Sequence, residues 1–176
     1  MAQRNIFTTG TQETSQENAG SKTKQCIFCK IIHGESKGYT VFEDEISVAF
    51  LDYRPLVHGH VLLTPKIHYE TLIDLPKDLV GPLFANVQLL ARVIEKSLAA
   101  GGTFVGINNR ISQSVPHLHI HIVPRRKDDK LFTQDFSWRR QPYTDEEALL
   151  QMQETMKAAV EGNRSTVDGG MERSSL

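Results

Sequence analysis

The chain has 176 residues, 39% apolar and 23% charged, with 20 Lys+Arg against 21 Asp+Glu. At roughly one domain per 150 residues this reads as one compact domain with modest extensions. The near-neutral balance excludes a strong nucleic-acid-seeking or membrane-seeking field, and no run of about 18 apolar residues offers an ordinary spanning helix. Residues 1–24 are rich in Thr, Gln, Ser, Asn and Gly and are expected to form a disordered arm. That arm lacks the apolar stretch of a secretory signal, and Glu13 and Glu17 fit a mitochondrial presequence poorly, so a cytoplasmic location is the default expectation. Residues 161–176 are again polar and Gly-containing and are expected to be disordered, which leaves a domain over 25–160.

The only two cysteines, Cys26 and Cys29, stand where the arm gives way to apolar sequence. A lone C-x-x-C in a cytosolic chain is half of a zinc site, a redox pair or coincidence. Nothing strand-like precedes Cys26, which speaks against a thioredoxin-like pair. A zinc site would need two further ligands, and histidine must supply them because no cysteine remains.

Tyr39–Glu43 and Ile46–Leu51 read as strands joined as a hairpin at Asp44 and Glu45, and His60–Thr64 as a buried strand stopped by Pro65. Leu79, Leu83, Val87, Leu90, Ile94 and Leu98 recur every three or four residues, predicting an amphipathic helix that starts within a few residues of Pro82 and is closed by Gly101-Gly102. Thr103–Ile107 and Pro116–Val123 supply two more strands, and Asp145–Val160 a second helix. Strands on either side of a long helix indicate an α+β domain with an antiparallel sheet.

The informative segment is the run from Gln113 to Pro124, in which His117, His119 and His121 alternate with Leu118 and Ile120. On an extended chain the three imidazoles share one face while the aliphatic chains bury the other. Packing alone explains poorly why three of the chain's seven histidines stand in this one alternation. Neighbouring rings are roughly 6.7 Å apart along a strand and the outer pair about 13 Å, so one metal ion can collect two of them but hardly all three. A division of labour follows, with one end of the row for structure or metal, the middle for chemistry and the other end for binding charge. Imidazole is a competent nucleophile at neutral pH, able to form a covalent phosphorus–nitrogen intermediate.

His117-x-His119-x-His121, preceded by Gln113-Ser114-Val115 and followed by Pro124-Arg125, resembles the signature of the histidine-triad (HIT) superfamily of nucleotide hydrolases and transferases. The segments Cys26–Ile31, Gly34-Glu35, Val48–Asp52, Gly59–Leu62 and Pro65-Lys66-x-His68 match that family in order, so the resemblance covers roughly Cys26 to Arg126, with residues 127–160 as an extension. It implies a five-stranded antiparallel sheet packed with the long helix, and a homodimer. It also implies that His119 is the nucleophile at the α-phosphorus, that His121 binds or polarises the phosphate, and that Gln113 and Ser114 lie beside the scissile bond with Asn108 near the phosphate. The base and ribose would lie against Ile27, Phe28, Ile31, Phe50 and Asp52, with the Asp52 carboxylate on the ribose hydroxyls. A structural zinc on Cys26, Cys29, His68 and His117 is implied as well, the alternative pair being His58-x-His60; no organic cofactor is. His33 is expected at the surface.

The implied reaction is two-step hydrolysis of a nucleoside phosphoramidate or dinucleoside polyphosphate, through a nucleotidyl-histidine, to a nucleoside monophosphate, with adenine and AMP expected. The alternatives are nucleotidyl transfer to phosphate or a sugar phosphate, and nucleotide binding without catalysis. Zinc-finger recognition of nucleic acid is excluded by the wide ligand spacing and the absence of a basic stripe. Two departures stand out. The loop from Asn108 to Gln113 is short and lacks the usual glycine before Gln113, and the clusters Arg125-Arg126-Lys127 and Trp138-Arg139-Arg140 either bind a polyphosphate or leaving group or form a solvated face.

Overall fold

A computed structural model of the chain describes residues 25–129, 131 and 140–168. The expected arm at 1–24, the end of the expected tail at 169–176, and Trp138 and Arg139 of the second basic cluster lie outside the described residues. The elements are α1 (Ile27–Ile32), β1 (Thr40–Glu43), β2 (Ser47–Leu51), β3 (Val61–Pro65), a 3-10 turn (Leu72–Asp74), α2 (Lys77–Ser97), β4 (Gly102–Ile107), β5 (Ile120–Arg125) and α3 (Glu146–Asp168). The strands form one sheet in the order β1-β2-β3-β5-β4, every neighbouring pair antiparallel, so the architecture is the expected α+β one.

The hairpin closes where an aspartate can cap its own turn. Asp44 Oδ1 accepts from the backbone N–H of Ile46 and Ser47 at 3.0 and 2.7 Å, and Asn86 Nδ2 on α2 donates to Asp44 Oδ2 at 2.5 Å. Every residue of β2 and of β3 is buried, because the sheet is covered on both faces there. Ala49, Leu51, Val61, Leu63, Ile120 and Ile122 face the main core with Leu83, Leu90 and Ile94 of α2. Val48, Phe50 and Leu62 face the other way, onto Cys26, Phe28 and Cys29 at α1. Helix α3 adds the stripe Leu149, Met156 and Val160 to the main core, and Gln153 Nε2 donates to the Thr40 carbonyl at 2.9 Å.

Several element bounds differ from expectation. Helix α2 begins at Lys77 and runs through Pro82, which forfeits one backbone bond in the second turn. It also ends at Ser97, before the two glycines: Ala99 takes the left-handed conformation at φ 47° and the N–H of Ala100 returns to the carbonyl of Glu95 at 3.0 Å, so an alanine closes the helix. Helix α3 continues to Asp168, so residues from Glu161 to Asp168, expected to be disordered, are helical. The last strand starts at Ile120 and not at Pro116. Pro65 ends β3 without an N–H to offer; just before it Thr64 Oγ1 donates to the Leu118 carbonyl at 2.7 Å, and the N–H of Leu118 goes to the carbonyl of Tyr69 at 2.6 Å. His117 and His119 thus lie ahead of the ladder, His117 in a bend whose N–H turns back to the Val115 carbonyl at 2.8 Å, while the alternation holds: Leu118, Ile120 and Ile122 enter the main core, and the His117 and His119 rings meet Phe28 on the opposite side. No described helix is long and apolar enough to cross a membrane.

Candidate active site and metal-binding cluster

Cys26 caps α1 and Cys29 lies within its first turn, a spacing that puts both sulfurs on one side of the helix. His68 follows β3 and His117 precedes β5, and the β3–β5 pairing carries both to those sulfurs. Cys29 Sγ lies 3.3 Å from His68 Nδ1 and 3.6 Å from His117 Nδ1, and Cys26 Sγ lies 3.5 Å from His117 Nδ1. All four donor atoms fall within 4.8 Å of one another. Tetrahedral coordination with M–S near 2.3 Å and M–N near 2.0 Å sets neighbouring donors about 3.3–3.8 Å apart, so this cluster can hold a metal ion. His117 Nε2–H donates to the Pro65 carbonyl at 2.9 Å, which leaves Nδ1 with its lone pair toward the sulfurs. Burial, then the neighbouring Cys26, pushes the Cys29 thiol up to about 12. The alternative pair is elsewhere: His58 stacks on Tyr143 and His60 sits against His121.

The remaining histidines form a directed chain. His60 Nδ1 has the Leu56 N–H at 3.3 Å and Asp52 Oδ2 at 3.4 Å, and His60 Nε2 lies 3.0 Å from His121 Nδ1; with Nδ1 accepting from Leu56, His60 donates from Nε2 to His121. His121 is thereby held with its proton on Nε2, a buried donor with no hydrogen-bond partner among the described residues. His119 Nδ1–H donates to the His117 carbonyl at 2.7 Å, which leaves the lone pair on Nε2. Burial holds the His119 imidazole below its usual value, and burial above all, joined by Arg140 and His119 near His60 and by His60 and His119 near His121, pushes His60 and His121 down to about 3. All three rings are therefore neutral near pH 7. The rings of His119 and His121 lie 4.9 Å apart, and Phe28 sets its ring against His119 at 5.2 Å and 82°.

Two cavities open at these rings. The larger, about 590 Å³, is lined by the predicted residues Ile27, Phe28, Ile31, Phe50, Asp52, Ser114, His119 and His121. The smaller, about 360 Å³, is lined by Asn108, also predicted, and shares Ser114 and His121 with the first. Gln113 lines neither: its Oε1 accepts from the Arg110 N–H at 2.7 Å and its Nε2 donates to the Glu70 carbonyl at 2.6 Å, so it braces the 108–113 loop. Ser112, at the position where a glycine is usual, adopts φ 60°. His33 is exposed, as expected.

Sequence reasoning left two contributors unassigned. His60 entered only as a possible metal ligand, and its real partner is settled by the register that sets Leu62 opposite His121. Arg140, noted only as part of a basic cluster, lines both cavities and brings Nη1 to 3.5 Å from Asp52 Oδ2. Asp52 Oδ1 accepts from the Arg54 N–H at 2.9 Å, which fixes the carboxylate at the rim of the larger cavity.

The sequence matches the HIT domain family over residues 33–128, which takes in all five strands and the three alternating histidines. It is 34% identical over 141 residues to the adenylylsulfatase HINT3 of Arabidopsis thaliana, spanning 79% of this chain and 72% of that protein. It is 36% identical over 108 residues to the asymmetrical bis(5'-nucleosyl)-tetraphosphatase of Schizosaccharomyces pombe, spanning 60% of this chain and 58% of that one. A crystal structure of a zinc-bound histidine triad family protein from Mycobacterium smegmatis matches with TM-score 0.70 at 33% identity, over 82% of this chain and 99% of that one. With its strands, its histidine row and more than half of its length matched in this way, the chain belongs to the HIT domain family.

Proposed function

We propose that the protein hydrolyses nucleotides at the α-phosphorus through a nucleotidyl-His119 intermediate, releasing a nucleoside monophosphate, AMP in the first instance. The observation that carries the reading is the pair of neighbouring rings with opposite free functions: His119 offers a lone pair at Nε2 and His121 a buried, unpartnered N–H. In the first step His119 Nε2 forms a bond to phosphorus while the bond to the leaving group breaks and its electron pair departs with that group. His121 Nε2–H and the Ser114 hydroxyl are placed for a phosphate oxygen and the leaving group. In the second step water attacks phosphorus, the P–N bond breaks with its pair returning to Nε2, and one water proton is released. The base and ribose lie among Ile27, Phe28, Ile31 and Phe50, with Asp52 at the ribose. The names of the Arabidopsis and fission-yeast relatives, both cleavers of nucleotidyl phosphate bonds, support the hydrolase reading.

Incubation with adenosine 5'-phosphoramidate and with diadenosine tetraphosphate tests it. Release of AMP, unchanged in identity when inorganic phosphate is added, is the expected result. ADP formed only in the presence of phosphate would make the protein a transferase, and tight nucleotide binding without any product would overturn catalysis altogether.

We further propose that the Cys26, Cys29, His68 and His117 cluster holds zinc in a closed, structural site. A bound ion would neutralise the thiolates and tie α1, and with it Phe28, to the chain that carries His119. Metal analysis is expected to find one zinc per chain, lost in Cys29→Ser. At free zinc a thousandfold above Kd the site stabilises the fold by about 4 kcal/mol, so Cys29→Ser should lower Tm by roughly 10 °C. Metal-free wild type should share the lowered Tm of Cys29→Ser, and zinc-supplied wild type that binds no zinc, or that melts with Cys29→Ser, would refute the assignment.

A further inference from the structure

The wall between the two cavities is lined by Ser114, His121 and Arg140, which belong to both. The triad therefore stands at a junction. On one side are the aromatic and aliphatic residues around Phe28 and Phe50; on the other, Phe104, Asn108, Ser112 and His60 surround a space whose lining includes no carboxylate among the described residues. Among the described residues, Arg140 is the one side chain lining that smaller space that carries a charge near pH 7.

Arg140 is set in place by its own segment. The N–H of Gln141 donates to the Pro55 carbonyl at 2.9 Å, His58 Nε2–H donates to the Pro142 carbonyl at 3.1 Å, and the Gly59 N–H donates to Tyr143 Oη at 3.1 Å. His58 and Tyr143 stack at 4.6 Å with planes 12° apart. Residues 140–143 are thus fastened to the loop that ends at His60, whose ring holds His121. Within the described residues the guanidinium uses only Nη1, toward Asp52 Oδ2 and in a hydrogen bond to the Arg54 carbonyl, whereas a guanidinium carries five N–H donors in all. The HIT match ends at residue 128, so this cation comes from beyond the matched segment.

We propose that the smaller cavity receives the leaving group and that Arg140 makes the protein select leaving groups rich in anionic oxygen, phosphate or sulfate, over amines. The proposal rests on the hydrolase reading given above. When an anhydride is cleaved, the Pα–O bond breaks with its electron pair on oxygen, and the leaving group departs with one more negative charge. Arg140 meets that developing charge and the charges the group already carries. When a phosphoramidate is cleaved, the pair goes to nitrogen, which takes one proton from solvent, directly or relayed through the Ser114 hydroxyl as that hydroxyl is reprotonated by water, and leaves as a neutral amine. Arg140 then has no new charge to stabilise. The competing role is indirect, with Arg140 steadying Asp52 for the nucleoside, and that role is blind to the leaving group.

The test is kcat/KM of wild type, Arg140→Met and Arg140→Lys with adenosine 5'-phosphosulfate, diadenosine tetraphosphate and adenosine 5'-phosphoramidate, with Tm and AMP affinity as controls on folding and nucleoside binding. Arg140→Met is expected to lose about 30-fold or more on an anionic leaving group and no more than about threefold on the phosphoramidate, with Arg140→Lys recovering part of the loss. The larger loss, on sulfate or on polyphosphate, identifies which anion the cavity holds. Equal losses on all three substrates, or a weakened AMP affinity that accounts for them, would overturn the proposal in favour of the Asp52 role, and no loss on any would leave Arg140 a solvated side chain. Wild type inert toward all three would instead overturn the hydrolase reading, and this proposal with it.

Discussion

His119→Asn is expected to release no measurable AMP from any of these substrates while still binding AMP within about threefold of wild type. Asparagine retains an N–H that can donate to the His117 carbonyl, the contact His119 Nδ1 makes at 2.7 Å, so the local chain keeps its anchor. What disappears is the neutral lone pair aimed at phosphorus. Loss of a nucleophile with the rest of the site intact removes the covalent route entirely, a fall of about 10³-fold or more in kcat. Rapid quench of wild type with a radiolabelled adenylyl donor should trap label on the protein, and the variant should trap none. His119→Gly retaining turnover would sink the nucleophile assignment, whatever the fate of the nucleotide.

His121→Phe is expected to cut kcat by about 10²- to 10³-fold with little change in AMP affinity, the magnitude seen when one preorganised donor is removed from a developing negative charge. The ring volume is kept, so packing against His60 at 5.1 Å between centroids is replaced by an aromatic contact and not by a hole. The donor is costly to keep: a buried N–H without a partner loses its water and gains nothing until a phosphate oxygen arrives. Phenylalanine also takes away the Nδ1 that accepts from the buried His60 Nε2–H at 3.0 Å, so Tm is expected to fall by a few degrees while turnover falls by orders of magnitude. A variant that loses stability and retains turnover would show that His121 is a core residue and no donor to substrate.

The histidine row was legible early because its evidence is local. A period of two depends only on neighbouring side chains alternating, and His117, His119 and His121 face one side and Leu118, Ile120 and Ile122 the other even though the ladder starts only at Ile120 and a bend precedes it at His117. The long helix was legible for the same reason, from the recurrence of Leu83, Val87, Leu90 and Ile94, but its ends were not. Pro82 and Gly101-Gly102 are strong local signals that the packed helix overrides, beginning earlier and closing on Ala99. Residues after Val160 read as too polar to fold alone, yet they continue a helix whose buried stripe at Leu149, Met156 and Val160 is already docked.

By itself, then, the sequence determined the α+β class, the strand and helix order, the shared face of the three histidines and, through its resemblance, the family. Only the tertiary structure decided which atoms meet. Spacing alone did not separate His68 and His117 from His58 and His60 as partners of the cysteines, because that choice depends on β3 pairing with β5 and on where Pro65 ends the ladder. The proton positions on His60, His121 and His119 follow from backbone groups at Leu56 and His117 that only the folded chain brings within reach. Gln113 turned out to brace its loop, and Arg140 to reach the triad from outside the matched segment, for one reason: a long side chain's partners are set by contacts between residues distant in sequence, on which hydrophobic periodicity carries no information.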